Sequence, residues 1–141
     1  MLDLTSLENA IKQLKESLEF AGSQMAKENP ALARQFRAAS IQAFEITYEL
    51  THKILKRFLE TTDASPDTID KMSFQDLIRT GAEKGLLLNS WDQWRNYRQS
   101  RNNTSHTYDE QMAETVFSDI PAFLKEAEFL LSEIQERQNS Q

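Results

Sequence analysis

The apolar positions of this chain recur at helical intervals over nearly its whole length. Leu4, Leu7, Ile11, Leu14, Leu18, Ala21 and Met25 step by three and four, which places them along one stripe of a helix with Lys, Glu and Gln opposite. Thr5-Ser6-Leu7-Glu8 has the form of a capping box at its start, and the helix is expected to end near Asn29-Pro30. Pro30 suits the first turn of a second helix, predicted to run to about Thr61. That helix carries two apolar faces. Phe36, Ala43, Leu50 and Ile54 lie on one, and Ile41, Phe44, Tyr48, Leu55 and Leu59 on the other, the pattern of a helix that is central or sits at a subunit interface. Glu45 and Glu49 fall amid this surface, either as a solvated strip between the faces or as acids facing a basic partner.

Further on, the polar segment Thr61–Asp67 is expected to be a loop. Ser73 caps a short helix bearing Phe74, Leu77 and Ile78, and Gly85 offers its C-terminal stop. Ser90 to Gln93 is again a capping box, opening a helix on which Trp91 and Trp94 share a face, as core anchors or as stacking surfaces for a base. Thr107 to Glu110 has the same form ahead of a helix through Met112, Val116 and Phe117. Asp119 and Pro121 are expected to mark a new start or a kink. The last helix then carries Phe123, Leu124, Ala127, Leu130, Leu131 and Ile134, and the tail Glu136–Gln141 is expected to fray. The result is an all-α, up-and-down bundle of four to six helices, one domain over residues 1–141, dimerising through bundle helices because the two-faced helix and the last stripe offer more apolar surface than one small bundle needs.

Composition narrows the functional classes. Only three Gly and three Pro occur, too few for a turn-rich β fold. Without cysteine there is no thiol nucleophile and no thiolate metal site. No apolar run is long enough to span a membrane, and the first residues lack the basic start and apolar centre of a signal peptide, so a cytoplasmic location is expected. The net charge of -6 excludes binding nucleic acid by global field and makes any local cluster of arginines more informative.

Such a cluster lies in Trp91–Tyr108, which holds both tryptophans, two of the three tyrosines and one of the two histidines. Arg95, Arg98 and Arg101 are spaced by three with no acid between them, as a solvated face or a phosphate-binding stripe. On a straight helix Arg101 and His106 would stand about 140° apart around the axis. Asn102, Asn103, Thr104 and Ser105 are poor helix formers, so the helix is expected to end or bend there and let the two side chains meet, within one chain or from two. Arginine supplies a permanent planar charge for phosphate oxygens, and histidine moves protons near neutrality. Together they could cleave RNA without a metal or other cofactor: His106 exchanging protons with the 2′-hydroxyl or the leaving oxygen, Arg101 stabilising the phosphate, and Asn102 orienting either. His52 has no ligand-type neighbours and is expected at the surface or partly packed. No Gly-rich phosphate loop, zinc spacing or nucleophilic triad is present.

Arg101-Asn102-Asn103-Thr104-Ser105-His106-Thr107-Tyr108 resembles the motif of the HEPN superfamily, and the His-x-Tyr extension is similar to its HepT group, also called nucleotidyltransferase substrate-binding proteins. Ile41–Leu50 with Lys53 looks like the family's second helix, and Trp94-Arg95 leading to Arg101-Asn102 like its motif helix. The resemblance implies a homodimer whose two motifs line a shared cleft, and a minimal nucleotidyltransferase as partner. It implies a metal-independent RNase toxin with Arg101 and His106 as catalytic pair and Asn102 as assistant. It further implies that an antitoxin nucleotidyltransferase silences the toxin by adenylylating Tyr108. The alternative is a non-catalytic substrate- or nucleotide-binding subunit with Arg95, Arg98 and Arg101 as phosphate clamps.

Overall fold

The computed structural model describes residues 1–140, and among them there is no strand. Seven α-helices follow in order: α1 (Thr5–Ala21), α2 (Gln24–Glu28), α3 (Pro30–Thr62), α4 (Pro66–Asp70), α5 (Phe74–Glu83), α6 (Trp91–Asn103) and α7 (Glu110–Asn139), with a 3-10 turn at Thr104–His106 between the last two. The helix count exceeds the expected four to six because α2 and α4 are five-residue turns set at chain reversals.

The 33-residue α3 is the axis of the up-and-down bundle and touches every other α-helix. Its apolar faces pack chiefly on α1 and α7, which makes it the central helix, while Phe36 and Leu50 remain half-buried and Ile46 exposed. Polar residues on these faces are accommodated by bonding back along the helix. Thr47 Oγ1 donates to the Ala43 carbonyl at 2.8 Å, Thr51 to Thr47 at 2.7 Å and Ser40 to Phe36 at 2.9 Å. Leu7, Ile11 and Leu14 of α1, and Phe123, Ala127, Leu130 and Ile134 of α7, complete the core.

Several boundaries differ from the periodicity. α1 stops at Ala21, not at Asn29, because Ser23 makes a new N-cap whose hydroxyl accepts from the Ala26 N–H at 3.3 Å. Met25 is thereby turned outward, and Ala26 takes the buried position. At the N-terminus Asp3, rather than Thr5, accepts an exposed N–H, that of Thr5, since Leu4 is drawn into the core and the helix already begins at Thr5. α3 extends through Thr62 because Thr61 and Thr62 both donate to the Phe58 carbonyl, which shortens the expected loop to Asp63–Ser65.

α5 ends at Glu83, and Gly85 just beyond supplies the expected stop: its φ of 74° is the left-handed conformation that glycine tolerates, and the Leu86 N–H returns to the Gly81 carbonyl at 2.9 Å. Pro121 neither starts nor divides a helix: α7 runs through it, because Ile120 and Phe123 on either side are locked in the core. The tail does not fray before Asn139. Arg137 donates to the Lys84 carbonyl at 2.7 Å, and Gln138 pairs with the backbone of Leu2. Gln141 lies outside the described residues. Among those described, no helix is long and apolar enough to cross a membrane.

Candidate functional site

The helix break falls where the small polar residues stand. α6 closes at Asn103, and three hydroxyls then take up carbonyls of its last turn and of the turn that follows. Thr104 donates to Arg101 O at 2.7 Å, Ser105 to Asn102 O at 3.1 Å and Thr107 to Thr104 O at 3.0 Å. This builds the 3-10 turn and places His106 at its end. Thr107 is consumed in that role, so α7 is capped instead by Asp109, whose carboxylate accepts from the N–H groups of Gln111 and Met112. At Ser90 the capping position is right, but its side chain makes no capping bond.

Arg101 is half-buried and faces α3. Its Nη2 lies 2.9 Å from Glu49 Oε1, its Nε donates to the same oxygen at 3.1 Å, and Nη1 stands 3.9 Å from Glu45 Oε2 and 3.3 Å from the Thr104 hydroxyl. Glu45 and Glu49 are thus partners of the motif arginine rather than an idle strip. His106 and Tyr108 stand together beyond the break, ring centroids 6.2 Å apart, with Tyr108 88% exposed. Asn102 is exposed beside them. Among the described residues no hydrogen bond joins Arg101 to His106, so one chain brings the two to the same end of α6 without closing them on each other.

The other two arginines differ. Arg98 stacks over Phe74, its Cζ 5.6 Å from the ring centroid, and Arg95 is exposed; neither has a carboxylate within ion-pair distance among the described residues. The tryptophans divide as well: Trp94 is fully buried against Tyr48, Tyr97 and Phe123, while Trp91 is half-buried. On the other side of the break, a groove of about 370 Å³ includes Arg34, Arg37, Glu45 and Thr107 in its walls. Arg37 there pairs with Glu114 and, at 3.5 Å, with Glu110, tying α3 to the start of α7.

The local field comes from these charges. The Tyr48 hydroxyl is pushed up to about 12, chiefly by burial, with Arg98 and Arg101 pulling the other way and Glu49 adding to the rise. Burial lowers His52 below the ordinary imidazole value, helped by Lys56 and Arg98 and opposed by Glu49.

Sequence reasoning missed Glu126. It is completely buried on α7, and it accepts from Leu88 N–H at 2.6 Å, Asn89 N–H at 3.2 Å and the Asn89 amide at 3.1 Å. It therefore fixes the turn that launches α6 and sets the angle at which the motif helix leaves the core. The signal was present: Glu126 occupies an apolar-stripe position between Phe123 and Ala127.

Comparison with known proteins agrees with this architecture. Residues 2–136 match the family described as nucleotidyltransferase substrate binding protein like, and the chain belongs to that family. A Haemophilus influenzae protein named probable ribonuclease HepT is 40% identical over 100 residues, 71% of this chain and 68% of that one. A solved H. influenzae structure, described as the fold of a substrate binding domain of a nucleotidyltransferase, superposes with a TM-score of 0.88 at 32% identity, covering 94% of this chain and 99% of the other. A protein from Thermus thermophilus superposes with a TM-score of 0.71 at 28% identity, over 90% and 97% of the two chains.

Proposed function

We propose that this protein is a metal-independent endoribonuclease, the toxin of a toxin–antitoxin pair, and that it works as a homodimer. The observation that carries the reading is the helix break, which presents His106 and Tyr108 to solvent at the end of the helix that holds Arg101 on Glu49. The relative named as a probable ribonuclease supports it.

His106 takes the proton of an RNA 2′-hydroxyl as that oxygen attacks the adjoining phosphorus, or donates one to the departing 5′-oxygen. Arg101 stabilises the charge that grows on the phosphate, and Asn102 orients the reacting groups. The products carry 2′,3′-cyclic phosphate ends. Each chain offers one motif histidine, and a second copy across a shared cleft supplies the other proton-transfer partner. Arg95 and Arg98 extend the positive stripe along which the RNA lies.

The partner is a minimal nucleotidyltransferase that acts as antitoxin by adenylylating Tyr108. The exposed phenol oxygen attacks the α-phosphorus of ATP and pyrophosphate leaves. The AMP phosphate then lies two residues from His106 and competes with RNA phosphate for the arginines.

The test is RNA cleavage by the purified, unmodified chain in EDTA beside His106→Ala and Arg101→Ala prepared identically. Cleavage by the parent alone is expected. Equal cleavage by all three, or none by a parent whose Tyr108 is shown by mass to be unmodified, overturns the nuclease reading. In that event the substrate-binding description of the H. influenzae structure and the carboxylate-free Arg95 and Arg98 favour a nucleotide-binding subunit, which titration of nucleotide with the partner chain would reveal.

A further inference from the structure

Beside the motif, three helices converge on a group of aromatic side chains around Arg98. His52 of α3 meets Phe74 of α5 edge-on, with ring centroids 4.8 Å apart at 75°. Trp91 of α6 meets the same ring at 5.9 Å and 68°. Arg98, two turns further along α6, lies over Phe74. His52, Phe74 and Trp91 are each half-buried and Arg98 is exposed. Seven residues place Trp91 and Arg98 within about 20° of each other on the helix, and Arg101 follows one turn on. The aromatic group and the motif arginine therefore share one side of α6.

Two features distinguish this group from ordinary packing. The first is the contrast between the tryptophans. Trp94 spends its whole surface on the core, whereas Trp91 is only partly buried, beside His52 and Phe74, which are partly buried too although Phe74 also packs on Tyr48 and Trp94. The second is charge. Arg101 is engaged by Glu49 and, more distantly, by Glu45. Arg98 has no carboxylate partner among the described residues. A guanidinium stacked on a ring keeps its in-plane N–H groups free for phosphate oxygens. Half-open aromatic rings beside an unpaired arginine are what a single-stranded nucleic acid uses: bases stack, and the backbone follows the cation.

We propose that His52, Phe74 and Trp91 form a base-stacking subsite for single-stranded RNA, with Arg98 holding the phosphate next to the one at Arg101. The inference rests on the ribonuclease reading and deepens it. It gives the substrate a direction, from the helix break back along α6, and it requires an unpaired base there, so a duplex segment does not fit.

The experiment is titration of the full chain with a short, labelled 2′-O-methyl oligoribonucleotide, which lacks the attacking hydroxyl and cannot be cut. Fluorescence anisotropy reports binding, and tryptophan emission reports contact. Because Trp94 is sealed in the core, contact quenching belongs to Trp91. Saturable quenching that parallels the anisotropy is expected, together with its loss in Trp91→Phe. Affinity is expected to fall roughly tenfold in Arg98→Ala and to recover in part in Arg98→Lys, with circular dichroism checking that each variant is folded. Binding without quenching overturns the subsite and leaves the nuclease reading intact. So does a parent that cleaves ordinary RNA yet shows no anisotropy change. Absence of both binding and cleavage removes the subsite together with the nuclease reading. ATP alone producing the same quenching at equal affinity would assign the site to free nucleotide and overturn its assignment to RNA.

Discussion

Arg101 of α6 holds one oxygen of Glu49 on α3 with two N–H groups, Nη2 at 2.9 Å and Nε at 3.1 Å. The guanidinium is thereby fixed in orientation while its Nη1 remains nearer the Thr104 turn. Because Glu49 is largely exposed, the pair contributes little to stability, about 1 kcal/mol or less. Glu49→Gln is therefore expected to leave thermal unfolding nearly unchanged while lowering RNA cleavage about tenfold, through kcat more than KM. Unchanged cleavage would mean that Glu49 does not position Arg101 for the reaction, and faster cleavage that it competes with the phosphate.

Tyr108 shows the opposite relation to the fold. At 88% exposure its ring has little packing to lose. Tyr108→Phe should alter stability by no more than about 0.5 kcal/mol in denaturant unfolding. It should also remove the mass gain produced by the partner and ATP. A variant that still gains AMP would place the modification elsewhere.

Glu126 gives the fold a pH dependence of defined sign. Burial raises its pKa above the ordinary 4.5, against the lowering effect of its bonds to Leu88, Asn89 and Tyr97. Below that ordinary value the group is neutral in both states and costs nothing. As pH rises through 4.5 the unfolded chain ionises first, so stability falls until pH passes the folded value and then levels off. The difference in unfolding free energy between the parent and Glu126→Gln, followed from about pH 4 to pH 7, should shift against the parent as pH rises through that window. A flat difference would mean that the hydrogen bonds offset burial. Glu126→Ala should cost about 3 kcal/mol or more at any pH, since it strands two backbone N–H groups.

Phe123 meets Phe44, Trp94 and Tyr97 edge-on at 5.2, 6.1 and 5.2 Å and is fully buried. Phe123→Ala should cost about 3–5 kcal/mol in urea unfolding, and Phe123→Leu clearly less. Equal losses would show that ring geometry, not filled volume, dominates.

Pro121 removes one N–H from the middle of α7, so the Phe117 carbonyl lacks its helical donor. Pro121→Ala should restore that bond. The gain should be about 1–2 kcal/mol after the greater freedom of the unfolded chain is counted, visible as a higher Tm. A loss would mean that α7 needs the local bend to seat Phe123.

Much of the bundle could be read from local chemistry. Asn29-Pro30 starts α3 because an Asn side chain accepts the first N–H groups, here at 3.1 and 3.3 Å, and proline needs no donor in the first turn. The early stop at Ser23 and the continuity through Pro121 could not be read this way. The same stripe is compatible with one helix or two, and whether a proline breaks a helix depends on what its neighbours bury.

At the site, the sequence by itself determined that α6 ends or bends within Asn102–Ser105, with His106 and Tyr108 two residues apart beyond it, since this follows from poor helix formers whose hydroxyls act within a few residues. Only the tertiary structure decided which acids hold Arg101, which tryptophan reaches solvent and that Glu126 anchors the turn before α6. Those outcomes join residues as far apart in the chain as Glu45 and Arg101. They depend on the angles at which α3, α5, α6 and α7 pack, and such angles are set by the fit of whole helix surfaces rather than by local sequence.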